Sequence, residues 1–250
     1  MKFNSPLIKG TLNQRNNRFV CEVTIDSGVT LAHVPNTGRM TSCYSPGCEV
    51  YLSKSANHNR KLPYTWELSC YHHDLICVNT QMSNELVATT LMDKSPVLAE
   101  FNDYSSIKRE VTYNHQNSDS TTSSSPKSRI DIYLSNHKTK PNCYIEIKHV
   151  TLYCHQKRCV MFPDAPTTRG QKHLRALIDI AQTQQAAATM MFVVTRNSGD
   201  YFTPARDIDP EYAALLTQAQ EVGVNIVAFK ATVEENGLIL SKQIPVELNI

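Results

Sequence analysis

Over roughly the first eighty residues, apolar and polar positions alternate in short runs: Pro6–Leu12, Phe19–Ile25, Val29–Val34, Glu49–Ser53, Thr65–Cys70 and Leu75–Asn79. A period of two buries one face of a strand and wets the other, so the spacing predicts strands. Asp26-Ser27-Gly28 predicts a hairpin between two of them, and Pro35-Asn36-Thr37-Gly38 and Ser45-Pro46-Gly47 mark further turns. Short strands at this spacing predict a small all-β barrel of the OB type over residues 1–82.

Beyond Asn79 the pattern changes. A helix is expected over Ser83–Met92, then strands over Arg109–Tyr113, Arg129–Leu134 and Cys143–Leu152. The polar stretch Asn117–Ser125, NSDSTTSSS, cannot bury a core and reads as a loop between two of these strands. Leu174, Leu177, Ile178 and Ala181 recur at helical spacing, so a helix is expected over Thr168–Gln185, capped by Thr167 or Thr168. Met190–Thr195 reads as a buried strand. Asp209-Pro210 opens a further helix that Gly223 closes, Val224–Phe229 is a strand, and Asn236-Gly237 marks a hairpin. This order predicts an α/β domain with a mixed sheet over residues 83–250.

Composition adds limits. The 41% apolar and 19% charged residues are ordinary for a globular protein, and the net charge is only +2. Any affinity for phosphate must then come from local basic patches. No apolar run is long enough to span a bilayer, and the opening MKFNSPLIKG lacks the apolar core of a secretory signal. The expectation is a cytoplasmic protein whose eight cysteines are reduced. The cluster Cys154, His155 and Cys159 has no recognised zinc spacing, and small core side chains are the simpler account of these cysteines. There is no GxGxxG, Walker A or GxSxG motif.

The sharpest chemistry lies in SRIDIYL and YIEIK. With Ile130, Ile132 and Leu134 on one strand face, Asp131 takes the other; with Ile145 and Ile147 on one face, Glu146 and Lys148 share the opposite one. Pairing the two strands brings Asp131 beside Glu146 and Lys148. Carboxylates held together repel, and a divalent cation relieves that repulsion. Mg2+ or Mn2+ there would polarise a phosphoryl oxygen, with Lys148 orienting water or stabilising developing charge. Glu110 is a candidate third acidic ligand. The alternative is a solvated strand face with an ordinary Glu–Lys pair.

The start of the second helix carries Arg169, Gln171, Lys172 and His173, suited to phosphate at a helix N-terminus, with Gln171 placed to orient a water or touch a base. In the β-rich half, Arg15, Arg18, Arg39, Lys54, Arg60 and Lys61 are interleaved with Tyr44, Tyr64 and Trp66, a mixture that fits nucleic-acid backbones and bases. The plainer account of both sets is a solvated basic surface, with Trp66 in the core.

Longer motifs now matter. SPLIKGTL, HVPNTGRM, RKLPYTWEL, ICVNT, YSSIKREV, SRIDIYL, CYIEIKHVTL, FPDAPTTRGQKHL, FTPARDIDPEYA and AQEVGVNIVAFKA follow in order, and over nearly its whole length the chain resembles the sugar fermentation stimulation protein A family. The resemblance implies an N-terminal OB-like domain and a C-terminal restriction-endonuclease-like domain of the PD-(D/E)xK superfamily. It further implies DNA binding without marked sequence preference and a regulatory role in maltose or other sugar metabolism. By that superfamily's pattern Asp131, Glu146 and Lys148 match metal-binding and catalytic positions, Glu110 an earlier acidic position, and Gln171 a helix glutamine. Ile130 stands where the pattern has proline. Two readings stay open: a metal-dependent deoxyribonuclease, and a non-catalytic DNA-binding factor. Enzymes that cut both strands are commonly homodimers, but no residue here argues for one.

Overall fold

The computed structural model describes residues 1–57, 59–114 and 127–248; the polar stretch Asn117–Ser125 lies outside them. The first half folds as six strands: β1 (Ile8–Arg15), β2 (Val20–Ile25), β3 (Gly28–His33), β4 (Glu49–Lys54), β5 (Tyr64–Tyr71) and β6 (Asp74–Cys77). Their order is β3-β2-β1-β4-β5-β6, and a parallel pairing of Ala32 with Tyr64 and His33 with Thr65 joins β3 to β5. Five strands thereby close into a barrel, which removes the free edges. Leu12, Val23, Val50, Leu52 and Ile76 fill it around a fully buried Trp66, whose indole N–H donates to the Leu68 carbonyl. Trp66 is thus core, as the plainer account had it.

The second half has a six-stranded mixed sheet, made of β7 (Ser106–Asn114), β8 (Lys127–Ser135), β9 (Cys143–Val150), β12 (Ala187–Val194), β14 (Asn225–Glu234) and β15 (Gly237–Ile244). The order is β15-β14-β12-β9-β8-β7, with β9, β12 and β14 parallel. Helix α1 (Gln81–Met92) packs on one face, and α2 (Thr168–Thr183) with α3 (Pro210–Glu221) on the other. β12 runs through the middle and is buried from Ala188 onward, which explains its unbroken apolar run. Both helix starts carry side-chain caps: Thr167 accepts from the Gly170 N–H, and Asp209 from the Tyr212 N–H with Pro210 in the first turn.

The structure refines the expected elements in two places. The run Cys143–Leu152 breaks at Thr151, and β10 (Leu152–Cys154) turns away to pair with β11 (Cys159–Phe162), which pairs with β13 (Tyr201–Pro204) in a small separate sheet. The hairpin at Asn236-Gly237 is present, but the turn is Glu235-Asn236, and Gly237 begins the strand. Gly237 is needed because a Cβ there would sit 2.3 Å from the Met1 carbonyl oxygen of the N-terminal segment. Gly38 has a similar role: a Cβ there would lie 2.3 Å from a carboxylate oxygen of Asp164, across the gap between the two halves.

The two halves are fastened by buried polar groups. Arg196, 1% exposed, donates from Nε to Asp74 Oδ2 (2.8 Å) and from Nη1 to the Thr151 carbonyl (2.7 Å). Asp74 also accepts from the backbone N–H groups of Asn197 and Ser198. The Thr195 carbonyl accepts from the Cys77 N–H. These bonds tie β6 of the barrel to the loop after β12, and so fix where the barrel stands over the sheet.

Candidate metal and nucleic-acid site

β8 and β9 pair antiparallel through Ile132 with Ile145, Tyr133 with Tyr144 and Leu134 with Cys143. One step further, that register sets Asp131 opposite Glu146, on the sheet face away from Ile132 and Ile145. There the ladder stops. The Asp131 carboxylate takes the next place in it, with Oδ2 accepting from the Ile147 N–H at 2.8 Å. Its other oxygen accepts from the Asn84 amide of α1 at 2.7 Å. Burial, and next to it the charge on Glu146, push the Asp131 carboxyl up to about 6, against the opposing effect of the Ile147 N–H, Lys148 and Asn84.

Glu146 is 2% exposed. Its Oε1 accepts from Lys148 Nζ at 2.6 Å and also meets His173 Nδ1, which in turn lies 3.1 Å from Lys148 Nζ. Burial alone would raise the Glu146 carboxyl; Lys148 and His173 together outweigh it and hold the group below the usual carboxylate range. Its Oε2 is buried with no hydrogen-bond partner among the described residues. An ionised oxygen without a donor is costly to bury. The residues present therefore fit a cation: one unpartnered carboxylate oxygen, and a second carboxylate that burial, and after it its neighbour's charge, drives toward protonation.

The other expected site residues distribute differently. Glu110 sits within β7 with a left-handed backbone (φ 56°), opposite Asp131, at the position the ladder skips between Arg109–Ile132 and Val111–Ile130, with no shift of register. Its carboxylate is exposed and pairs with Arg129 at 2.8 Å. No cluster of three or more acidic, histidine or cysteine groups able to hold an ion forms among the described residues. Gln171 is buried and donates from Nε2 to Asp209, tying α2 to the start of α3. His173, two positions on, is the α2 residue that reaches Glu146. A helix turns 100° per residue, so the two side chains leave α2 on opposite sides.

Of the basic set, Arg15 is half-buried and engaged inside the barrel, donating to the carbonyls of Arg18, Asn36 and Gly38. Arg60 donates to Thr65. Arg18, Arg39, Lys61, Arg169 and Lys172 are exposed. Arg15, Arg18 and Arg39 line one wall of a cleft of about 780 Å3 between barrel and sheet; Asn84, Ile147 and His149 line the other. His149 is held by Ser83 and Thr195, and burial lowers its ring to about 4.

An OB barrel fastened to a restriction-endonuclease-like α/β domain, with paired carboxylates and a lysine at the splayed end of two strands, defines a class. The chain matches the sugar fermentation stimulation protein RE domain over residues 81–237 and the SfsA N-terminal OB domain over residues 14–78. It belongs to the sugar fermentation stimulation protein family. The structure of Pyrococcus furiosus SfsA in complex with Ca2+ superposes with a TM-score of 0.84 at 27% identity, over 99% of this chain and 98% of that one. Among the described residues no helix is long and apolar enough to cross a membrane.

Proposed function

We propose that this protein binds DNA largely through its phosphates and hydrolyses phosphodiester bonds at Asp131, Glu146 and Lys148 with Mg2+ or Mn2+. The carrying observation is the buried, unpartnered Oε2 of Glu146 beside the raised carboxyl of Asp131. Asp131 and Glu146 would hold the cation; two carboxylates suffice for Mg2+, which keeps water and substrate oxygens as its other ligands. Bound there, the ion supplies Lewis-acid polarisation of a phosphoryl oxygen and acidifies water. Lys148, fixed against Glu146 and His173, is placed to orient the attacking water and to offset charge on the phosphate. Asn84 and the Ile147 N–H hold Asp131 in place. The Ca2+ in the complex of the Pyrococcus furiosus protein agrees with a divalent-cation site in this fold.

The second reading, a non-catalytic DNA-binding factor acting in sugar metabolism, is favoured by one observation: Glu110, the candidate third carboxylate, is paired with Arg129 at the surface. Incubating the protein with linear, circular and single-stranded DNA under Mg2+, Mn2+ or EDTA separates the two. Metal-dependent cleavage that Asp131→Ala and Glu146→Ala each abolish, with binding retained, supports the nuclease. Binding without cleavage under either metal favours the second reading.

A further inference from the structure

The cleft between barrel and sheet encloses about 780 Å3. That is the size of a pocket that takes one small ligand, roughly 300–1,000 Å3. That volume matches a nucleotide or two of one strand and is smaller than a stretch of duplex carrying both backbones. Its barrel wall is built by the loop between β1 and β2 and by the segment after β3. Arg18 and Arg39 stand there exposed, and their guanidinium groups have no partner among the described residues. The acidic residue on the lining, Asp164, is turned to the backbone and accepts from the Met40 N–H at 2.9 Å. Three arginines, Arg15, Arg18 and Arg39, outnumber it, so the lining keeps a net positive charge.

The wall is also preformed. Arg15 gathers the carbonyls of Arg18, Asn36 and Gly38, and the Asn17 side chain accepts from the N–H groups of Phe19 and Val20. Next to Arg18, and just outside the cleft's lining, Phe19 is 55% exposed, an aromatic ring presented to solvent beside an unpaired cation. A base stacks on such a ring whatever its identity. The opposite wall includes Asn84 and Ile147, the two residues that donate to Asp131. The cleft thus runs from the arginines to the two groups that hold Asp131, while Asp131 and Glu146 themselves lie off its lining.

From these features we infer that the cleft is a groove for single-stranded DNA, with Arg18 and Arg39 on its phosphates, Phe19 under a base, and the strand directed toward Asp131 and Glu146. This rests on the nucleic-acid part of the reading above and does not require turnover.

Anisotropy titrations of the full chain in EDTA test it without cleavage. The probes are a labelled oligothymidine of about a dozen nucleotides, a blunt duplex of equal length and the matching oligouridine. The single DNA strand is expected to bind at least about tenfold tighter than the duplex. Arg18→Ala with Arg39→Ala should weaken it about tenfold and reduce the salt slope by about 1.4, two phosphate contacts' worth on a single strand. Phe19→Ala should cost about five- to tenfold with an unchanged slope. Thr37→Trp, which fills the cleft from an exposed position on its lining, should abolish the strand preference. Duplex binding as tight as single-strand binding, or an unchanged salt slope in the double variant, overturns the inference even if the protein cleaves DNA. Tighter binding of the oligouridine overturns the assignment to DNA. The expected binding pattern without cleavage under Mg2+ or Mn2+ supports the groove and removes the nuclease reading alone.

Discussion

Two buried charged clusters stand within a few strands of each other in this protein, and they are built to opposite rules. Around Arg196 the groups are matched: Asp74 receives the guanidinium and two backbone N–H groups, and the rest of the guanidinium goes to Ser42 and Thr151 and lies over the Tyr153 ring. Around Glu146 they are not: Oε1 is crowded by Lys148 and His173, Oε2 has no partner, and Asp131 nearby is pushed toward protonation. Matching suits a joint that must not move, since a buried charge is tolerable when fully paired. A mismatch of this kind leaves coordination free for something that arrives later. The difference teaches that burial and charge do not by themselves separate a fixed joint from a place where a ligand can bind; unmet bonding capacity on a buried carboxylate does.

Variants that break one cluster or the other should read out differently. The largest expected effect is at the joint. Asp74→Ala leaves the Arg196 charge buried with no counter-charge, and should cost about 3–5 kcal/mol of stability in urea unfolding. At the site, Lys148→Ala should lower metal-dependent cleavage by about 10²–10³-fold with DNA binding kept; a loss confined to binding would place Lys148 in recognition instead.

A smaller effect has a definite sign with pH. Asp131 titrates near 6 in the folded protein and near 3.9 unfolded. Its folded pKa is the higher, so the stability linked to it is full below about pH 4 and is lost as pH rises through 6. Asp131→Asn escapes that loss. In EDTA, its stability relative to the unaltered protein should rise by ~2 kcal/mol between about pH 4 and pH 7.5; a gap that does not change with pH would contradict the assigned environment. The smallest effect belongs to an exposed pair: Glu85→Ala, which frees Arg109 at the surface, should change stability by no more than about 0.5 kcal/mol.

Much of this was legible in the chain. The barrel strands alternate clearly, and the alternation in SRIDIYL and YIEIK put Asp131, Glu146 and Lys148 on one face before any contact was known, because strand geometry is local. The family motifs carried the fold of both halves. What stayed hidden depends on how elements dock. His173 and Gln171 both lie in the first turns of α2, and their exchange of roles follows from the rotation at which α2 meets the sheet. Asn84 reaches Asp131 from 47 positions away in the chain, and its helix has no motif to announce it. Glu110 was legible as a candidate third carboxylate, but not its left-handed backbone or its surface pairing with Arg129. Arg15 looked like its neighbours Arg18 and Arg39, yet it serves the barrel's own carbonyls.

The central claim is that Asp131 and Glu146 form a site for a divalent cation, where Asp74 and Arg196 satisfy each other. Calorimetric titration of Mn2+ into the metal-free protein, alongside Glu146→Gln and Asp131→Asn, tests it most directly. The account predicts one site per chain in the unaltered protein and its loss in both variants, each still folded. Equal binding in the unaltered protein and Glu146→Gln would place the ion elsewhere and contradict it.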